Sequence, residues 1–103
     1  GRIDHAHHAA FAKLALDETV ELAKAVKKGR ELTSSEDTLI IVTADHAHTM
    51  SIAGYATRGN SIVGKSTDLG DDKLGYMTLS YANGPGYRSG KDGSRHDIDG
   101  DDT

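Results

Sequence analysis

The chain has 103 residues, of which 36% are hydrophobic, and a formal charge of −4 at neutral pH. This length suits one ordinary domain or a piece of a larger one, and 12 glycines leave room for only a thin core. The charge argues against a basic face for nucleic acid or anionic lipid. Absence of cysteine excludes a disulfide scaffold and a thiolate zinc site. No apolar run reaches the roughly 20 residues of a membrane span.

The first element predicted is a helix over about residues 5–28. Apolar side chains such as Phe11, Leu14 and Leu22 recur at helical intervals, and alanine is frequent. Acidic residues come early in this stretch and basic residues late, an order that complements the helix dipole. Gly29 follows, where a helix terminator is expected.

A buried β-strand is predicted over about residues 38–43, where Thr38-Leu39-Ile40-Ile41-Val42-Thr43 forms a β-branched apolar run. Helix followed by buried strand is half of a βαβ unit, so the pattern predicts an α/β fold with a mostly parallel sheet. Residues 44–48 follow the strand's carboxyl end, the edge at which open parallel sheets bind ligands.

The rest of the chain is predicted to form short strands and loops over residues 50–87, with Met50–Tyr55 and Ser61–Val63 as a hairpin and Tyr76–Tyr81 as a strand. Residues 88–103 are polar and acidic, and we expect a mobile tail there. The start at Gly1, without Met, and the open acidic end favour an internal fragment of a larger domain.

Histidine is concentrated in two clusters, Asp4-His5-Ala6-His7-His8 and Asp45-His46-Ala47-His48. Carboxylate and imidazole together suit zinc. Asp4 and His8 are four residues apart and would share one helix face. Asp45 and His46 are adjacent and can converge only where the strand turns into a loop. Each pair supplies two ligands, whereas catalytic zinc usually has three from protein, so further ligands must come from elsewhere.

Structural roles are the alternative for each residue taken singly. Asp4 could cap the helix, and Asp45 could cap a turn with His46 half-buried beside it. His5 and His7 could lie on the surface. The two clusters together favour metal binding over packing, but their spacing fixes neither the metal nor the reaction.

The motifs taken in order resemble the animal-type alkaline phosphatases over about residues 1–93. They are Gly-Arg-Ile-Asp-His-Ala-His-His (1–8), Glu36-Asp37-Thr38, Val42-Thr43-Ala44-Asp45-His46-Ala47-His48, Gly54-Tyr55 with Arg58-Gly59, and Asn83-Gly84-Pro85-Gly86-Tyr87. The resemblance implies that Asp4 and His8 bind a first zinc ion. It implies that Asp45 and His46 bind a second, the one that activates the serine nucleophile.

The remaining histidines receive lesser roles from the same resemblance. His5 matches a position near the bound phosphate or the magnesium site, acting through water. His48 matches a histidine that orients the ligands without binding metal. His7 has no implied role, and we expect it on the surface.

The resemblance also implies hydrolysis of phosphate monoesters through a phosphoserine intermediate, with two zinc ions and one magnesium. It implies a three-layer sandwich around a mostly parallel sheet, a homodimer, and an extracellular or cell-surface location. The nucleophilic serine and the magnesium ligands would lie outside residues 1–103, so the segment alone is expected to be inactive.

Other readings stay open at this point. The chain could be a stand-alone zinc-binding module without catalysis, or belong to the wider group of metallo-phosphatases and phosphomutases that share an Asp-His pair after a strand. Aspartates near the carboxyl end could bind calcium, but their spacing does not follow an EF-hand loop, so a solvated acidic tail is the better interpretation.

Overall fold

The structure is a computed structural model, and it describes residues 1–82, 92, 94, 95, 97 and 98. Its elements are α1 (Arg2–His8), α2 (Ala12–Leu32), β1 (Met50–Ile52) and β2 (Leu79–Tyr81). The chain forms two compact units, Gly1–His48 and Thr49–Thr103. Helices and a small sheet agree with the predicted α/β class at the coarsest level. The last residues of the predicted loops, 83–87, and most of the predicted tail at 88–103 lie outside the described residues.

The predicted helix over 5–28 is divided into two helices in the structure. After α1 the chain bends at Ala10, which has a positive φ of 59°. The Ala10 N–H donates to the carbonyl of His7 at 3.0 Å, and the Phe11 N–H donates to the carbonyl of Ala6 at 2.9 Å. This pair of bonds is the Schellman arrangement, which ends a helix at a left-handed residue. Sequence reasoning missed the end because alanine stands where glycine is usual.

The second helix begins directly after this bend and runs past its predicted end. Ala6 of α1 and Ala15 of α2 are 2% and 1% exposed, and they form the small core where the two helices pack. Gly29 lies inside α2 rather than after it. A β-carbon there would lie 4.0 Å from the end of the Ile40 side chain, an ordinary packing distance, so the segment that follows the helix lies near Gly29 without requiring glycine there.

The predicted strand over residues 38–43 has no pairing partner among the described residues. Leu39 and Ile41 are 84% and 78% exposed, whereas Ile40 is half-buried. A strand buried on both faces needs neighbouring strands to take its backbone bonds and helices to cover its side chains. Unit Gly1–His48 contains no strand, so the segment has no strand neighbour within this unit and its Leu39, Ile41 and Val42 side chains stay more than half exposed.

The second unit contains an antiparallel pair instead of the predicted hairpin. β1 pairs with β2 in the register Met50–Tyr81, Ser51–Ser80 and Ile52–Leu79, and residues 61–63 form no strand. Asn60 explains the difference, because its side-chain amide donates to the carbonyls of Ser61 and Lys65, 3.0 Å from each. Those bonds hold residues 60–65 as a tight turn.

Among the described residues, no helix has the length and apolar character required to cross a bilayer.

We predict that Ala10→Gly stabilises the protein by about 1 kcal/mol, because glycine adopts a positive φ without the β-carbon conflict that alanine has. The matched control is Ala25→Gly, an exposed position inside α2, which should cost about 1 kcal/mol instead. Urea unfolding of the two variants measures both effects. Destabilisation by both substitutions to a similar extent would contradict the bend at Ala10.

Candidate metal centre

The candidate site lies wholly within unit Gly1–His48, where α1 meets residues 45–48. The turn of α1 supplies Asp4, and the loop after the extended segment supplies His46 and His48. One carboxylate oxygen of Asp4 and one ring nitrogen each of His46 and His48 lie within 4.8 Å of one another. The structure therefore brings together residues from both sequence clusters, 44 positions apart at the widest.

The closest contact across the site joins His48 to Asp4. The Nε2 of His48 lies 3.0 Å from Oδ1 of Asp4. An ionised carboxylate only accepts hydrogen bonds, so Nε2 of His48 carries the proton and donates it. The His48 side chain is only 13% exposed and that of Asp4 29%, so the bond is partly shielded from water.

His8 and His46 approach the same carboxylate at longer distances. Nε2 of His8 lies 3.5 Å from Oδ2 of Asp4, as expected for residues four apart on one helix face. Nε2 of His46 lies 3.5 Å from Oδ1 of Asp4 and 3.7 Å from Oδ2 of Asp45. Asp45 itself is exposed, and its other oxygen accepts the backbone N–H of His46 at 3.1 Å.

The ring orientation of His46 leaves one nitrogen for a ligand. Its Nδ1 lies 2.9 Å from the carbonyl oxygen of Ala47, which can only accept, so Nδ1 carries a proton. In the neutral ring Nε2 then presents a lone pair toward the carboxylates of Asp4 and Asp45. A lone pair facing two anions is unfavourable unless a proton or a metal cation lies between them.

The pKa shifts in this cluster follow from the same contacts. The hydrogen bond from His48 lowers the pKa of Asp4, with smaller contributions from His8 and His46. The carbonyl of Ala47 and the charge of Asp45 raise the pKa of His46. The site therefore holds its carboxylate ionised and attracts positive charge at His46, which is the electrostatics of a cation site.

His7 differs from its predicted surface role. Its side chain is half-buried, and its ring stacks on that of His48 with centroids 5.0 Å apart and planes inclined by 24°. Burial lowers the pKa of His7. In the sequence, His7 is only one member of the first histidine cluster. No spacing rule predicts its contact with His48, which lies 41 positions later in the chain.

His5 projects in another direction from α1. It is exposed and lines a groove between the helices together with Phe11 and Glu18. At the same groove Nη1 of Arg2 lies 3.5 Å from Oε1 of Glu18, an ion pair between an exposed guanidinium and a half-buried carboxylate. The predicted contact of His5 with phosphate through water stays a prediction.

Comparison with known proteins assigns the family. The sequence profile described as Alkaline phosphatase matches residues 1–103. The chain is 47% identical over 98 residues to the membrane-bound alkaline phosphatase of Bombyx mori, which covers 95% of the chain and 18% of that protein. It is 53% identical over 89 residues to the tissue-nonspecific isozyme of alkaline phosphatase from Homo sapiens, covering 85% of the chain and 17% of that protein.

A fish relative shows a similar degree of likeness: the chain is 45% identical over 89 residues to the alkaline phosphatase of Gadus morhua, covering 85% of the chain and 19% of that protein. The chain belongs to the alkaline phosphatase family, as the motifs predicted. It spans less than a fifth of the length of these three relatives.

We predict that His48→Ala makes the free energy of unfolding of the metal-free protein depend less on pH in the acid range. The pKa of Asp4 lies below its ordinary 3.8, so its interactions stabilise the fold above that pH and are lost as pH falls through the lowered pKa. Removing the largest cause of the shift should flatten this loss. Urea unfolding at several pH values between about 5 and 3 measures the slope. His5→Ala is the matched control and should keep the original slope; equal slopes in all three proteins would contradict the Asp4–His48 bond.

Proposed function

We propose that the protein carrying this chain hydrolyses phosphate monoesters through a phosphoserine intermediate, and that this segment supplies ligands to two zinc sites. Asp4 and His8 would bind the first zinc ion, and Asp45 and His46 the second. Family membership supports the reaction. The observation that supports the site assignment is the approach of one histidine from each pair, His8 and His46, to the carboxylate of Asp4, 3.5 Å in both cases.

The separations between donor atoms support this assignment. Two ligands about 2.0–2.1 Å from a tetrahedral zinc ion lie about 3.3–3.4 Å from each other. The Asp4–His8 and Asp45–His46 donor pairs are 3.5 Å and 3.7 Å apart, close to that value. Both pairs lie beside each other, since His46 is also 3.5 Å from Asp4. Adjacent ligand pairs are what a two-metal phosphatase site requires.

His48 fits the role of an orienting residue rather than a ligand. Its distance from Asp4, 3.0 Å, is that of a hydrogen bond. Since Nε2 carries the donated proton, that nitrogen has no lone pair for a metal ion. A histidine that donates to a ligating carboxylate fixes its orientation and typically contributes 10–100-fold to metal affinity or activity.

The two zinc ions and one magnesium, when bound, would stabilise the attacking and leaving oxygens of an in-line displacement at phosphorus. Asp4 stays ionised over the working pH range and orients toward His8 and His46. His5 would contact the phosphate through water. The nucleophilic serine and the magnesium ligands would be contributed by other parts of the whole protein. Because stabilisation acts on the phosphoryl group, we expect a broad range of phosphate monoesters as substrates.

The proposed whole fold is a three-layer sandwich around a mostly parallel sheet. Supporting this, Leu39, Ile41 and Val42 are more than half exposed in the described structure. An extended apolar segment of this kind needs neighbouring strands and a covering layer. Residues 38–43 would thus be an inner strand of that sheet, and the metal-binding loop would lie at its carboxyl end.

Assembly and location follow from family membership alone. We propose a homodimer at the cell surface or outside the cell. One relative carries the name membrane-bound alkaline phosphatase, and anchoring of this protein would depend on sequence other than the segment described above.

A second candidate function is zinc binding without catalysis. Its support is the group Asp4, His46 and His48, whose donor atoms lie within 4.8 Å and could hold a single ion if the proton left Nε2 of His48. The two candidates differ in stoichiometry, because the phosphatase holds two zinc ions per chain and the binding module holds one.

We predict that Asp45→Ala and His46→Ala each reduce turnover of an aryl phosphate by at least about 100-fold in the whole protein, because each removes a ligand that positions charge at the phosphoryl group. Bound zinc should fall from two ions per chain to about one. Circular dichroism should remain unchanged, since both side chains are more than half exposed. Lys13→Ala, an exposed position on α2, is the control and should match the unaltered protein in turnover and metal content.

Three results would contradict the proposal. Full turnover in both ligand variants would remove Asp45 and His46 from the site. One zinc ion per chain with no hydrolysis would favour the binding module. Turnover by residues 1–103 refolded with zinc would show that the nucleophile lies within this segment.

A further inference from the structure

A single hydrogen bond does not fix the ring of His48. The bond to Asp4 restrains Nε2, but rotation about the side-chain torsions of His48 can still tilt the ring while the Nε2–Oδ1 distance of 3.0 Å changes little. If the ring plane turns, the direction of the N–H changes and the Asp4 carboxylate can turn with it. Hydrogen bonds weaken as their angle departs from linearity, so the plane of His48 matters for the orientation of Asp4.

His7 supplies a second point of contact for that ring. The two imidazoles are nearly parallel, with an inclination of 24° and centroids 5.0 Å apart. This is the geometry of an offset-stacked aromatic pair. His8 adds an edge contact, with its ring perpendicular to that of His48 and centroids 4.7 Å apart. His48 is thus bounded on its face by His7 and at a right angle by His8.

The positions of Asp4 and His7 on α1 explain how one helical turn can both accept the hydrogen bond from His48 and stack on its ring. His7 lies three residues after Asp4, so their side chains are neighbours on the helix surface. The same turn therefore carries the carboxylate that accepts the bond from His48 and the ring that sets the plane of His48. The bend at Ala10 ends α1 immediately afterwards, with the His7 carbonyl bonded to the Ala10 N–H at 3.0 Å. That bond fixes the backbone of His7.

We propose that His7 is a positioning residue of the metal centre, which acts by stacking on His48 and so holds the Asp4 carboxylate in its ligating orientation. The inference rests on the proposed zinc site, but it assigns a role to a residue that is not one of the proposed zinc ligands. It requires a flat ring at position 7, not a titratable or metal-binding one.

The test is the zinc affinity of the whole protein, measured by competition with a chelator, in a set of matched variants. His7→Ala should weaken zinc binding at the Asp4 site about 3- to 10-fold, the range expected for one stacked aromatic pair. His7→Phe keeps a flat ring without nitrogen atoms and should stay within about twofold of the unaltered protein. Lys13→Ala is the surface control and should do the same.

A double-mutant cycle separates positioning from general destabilisation. If His7 acts through His48, then His7→Ala should cause little further loss of zinc affinity in a His48→Ala background. An undiminished additional loss would overturn the proposal, as would failure of His7→Phe to restore affinity. Unaltered affinity in His7→Ala, with a loss in His48→Ala, would overturn it while leaving the zinc site intact. Unaltered affinity in Asp4→Ala would overturn the zinc site itself and this inference with it.

Discussion

The hydrogen bond from His48 to Asp4 is the contact on which the candidate centre depends. It joins residues 44 positions apart and places the loop at 45–48 against the first turn of α1. Asp4 is then shared between His8 on its own helix and His46 on the loop. Each of these contacts would be weak alone in water, but together they place three imidazoles around a partly shielded carboxylate. A cation there would relieve the repulsion between the His46 lone pair and the carboxylates of Asp4 and Asp45.

The two short clusters need different local structures, and the fold supplies both. A helical turn brings Asp4 and His8 together because residues four apart share a face. Adjacent residues such as Asp45 and His46 converge only off regular structure, and the Nδ1 bond of His46 to the Ala47 carbonyl shows how the loop directs Nε2 inward. The bend at Ala10 ends α1 right after its last histidine. The short helix α1 and the loop at 45–48 thus together place the carboxylates and imidazoles of the site.

The apolar segment at 38–43 is not stabilised as a strand by the described residues. Its sequence is that of an inner strand, yet Leu39 and Ile41 are mostly exposed and the segment has no strand partner among the residues described. Strand formation is a cooperative property of a sheet, since backbone groups bond only to neighbours. β1 and β2 meet this requirement for each other by pairing in antiparallel orientation.

The sequence by itself determined the family, the coarse α/β class and the residue types of a candidate metal centre, because motif order, apolar periodicity and the carboxylate–imidazole pairing are local properties of the chain. Tertiary structure decided the break at Ala10, the pairing of β1 with β2 and the half-buried position of His7. Each of these depends on energies the local pattern does not contain: a left-handed alanine held by two backbone bonds, an Asn60 network that closes a turn, and a ring stacked on a residue 41 positions away. The first two are short-range bonds that apolar periodicity does not report, and the third is a long-range contact that spacing along the chain does not report.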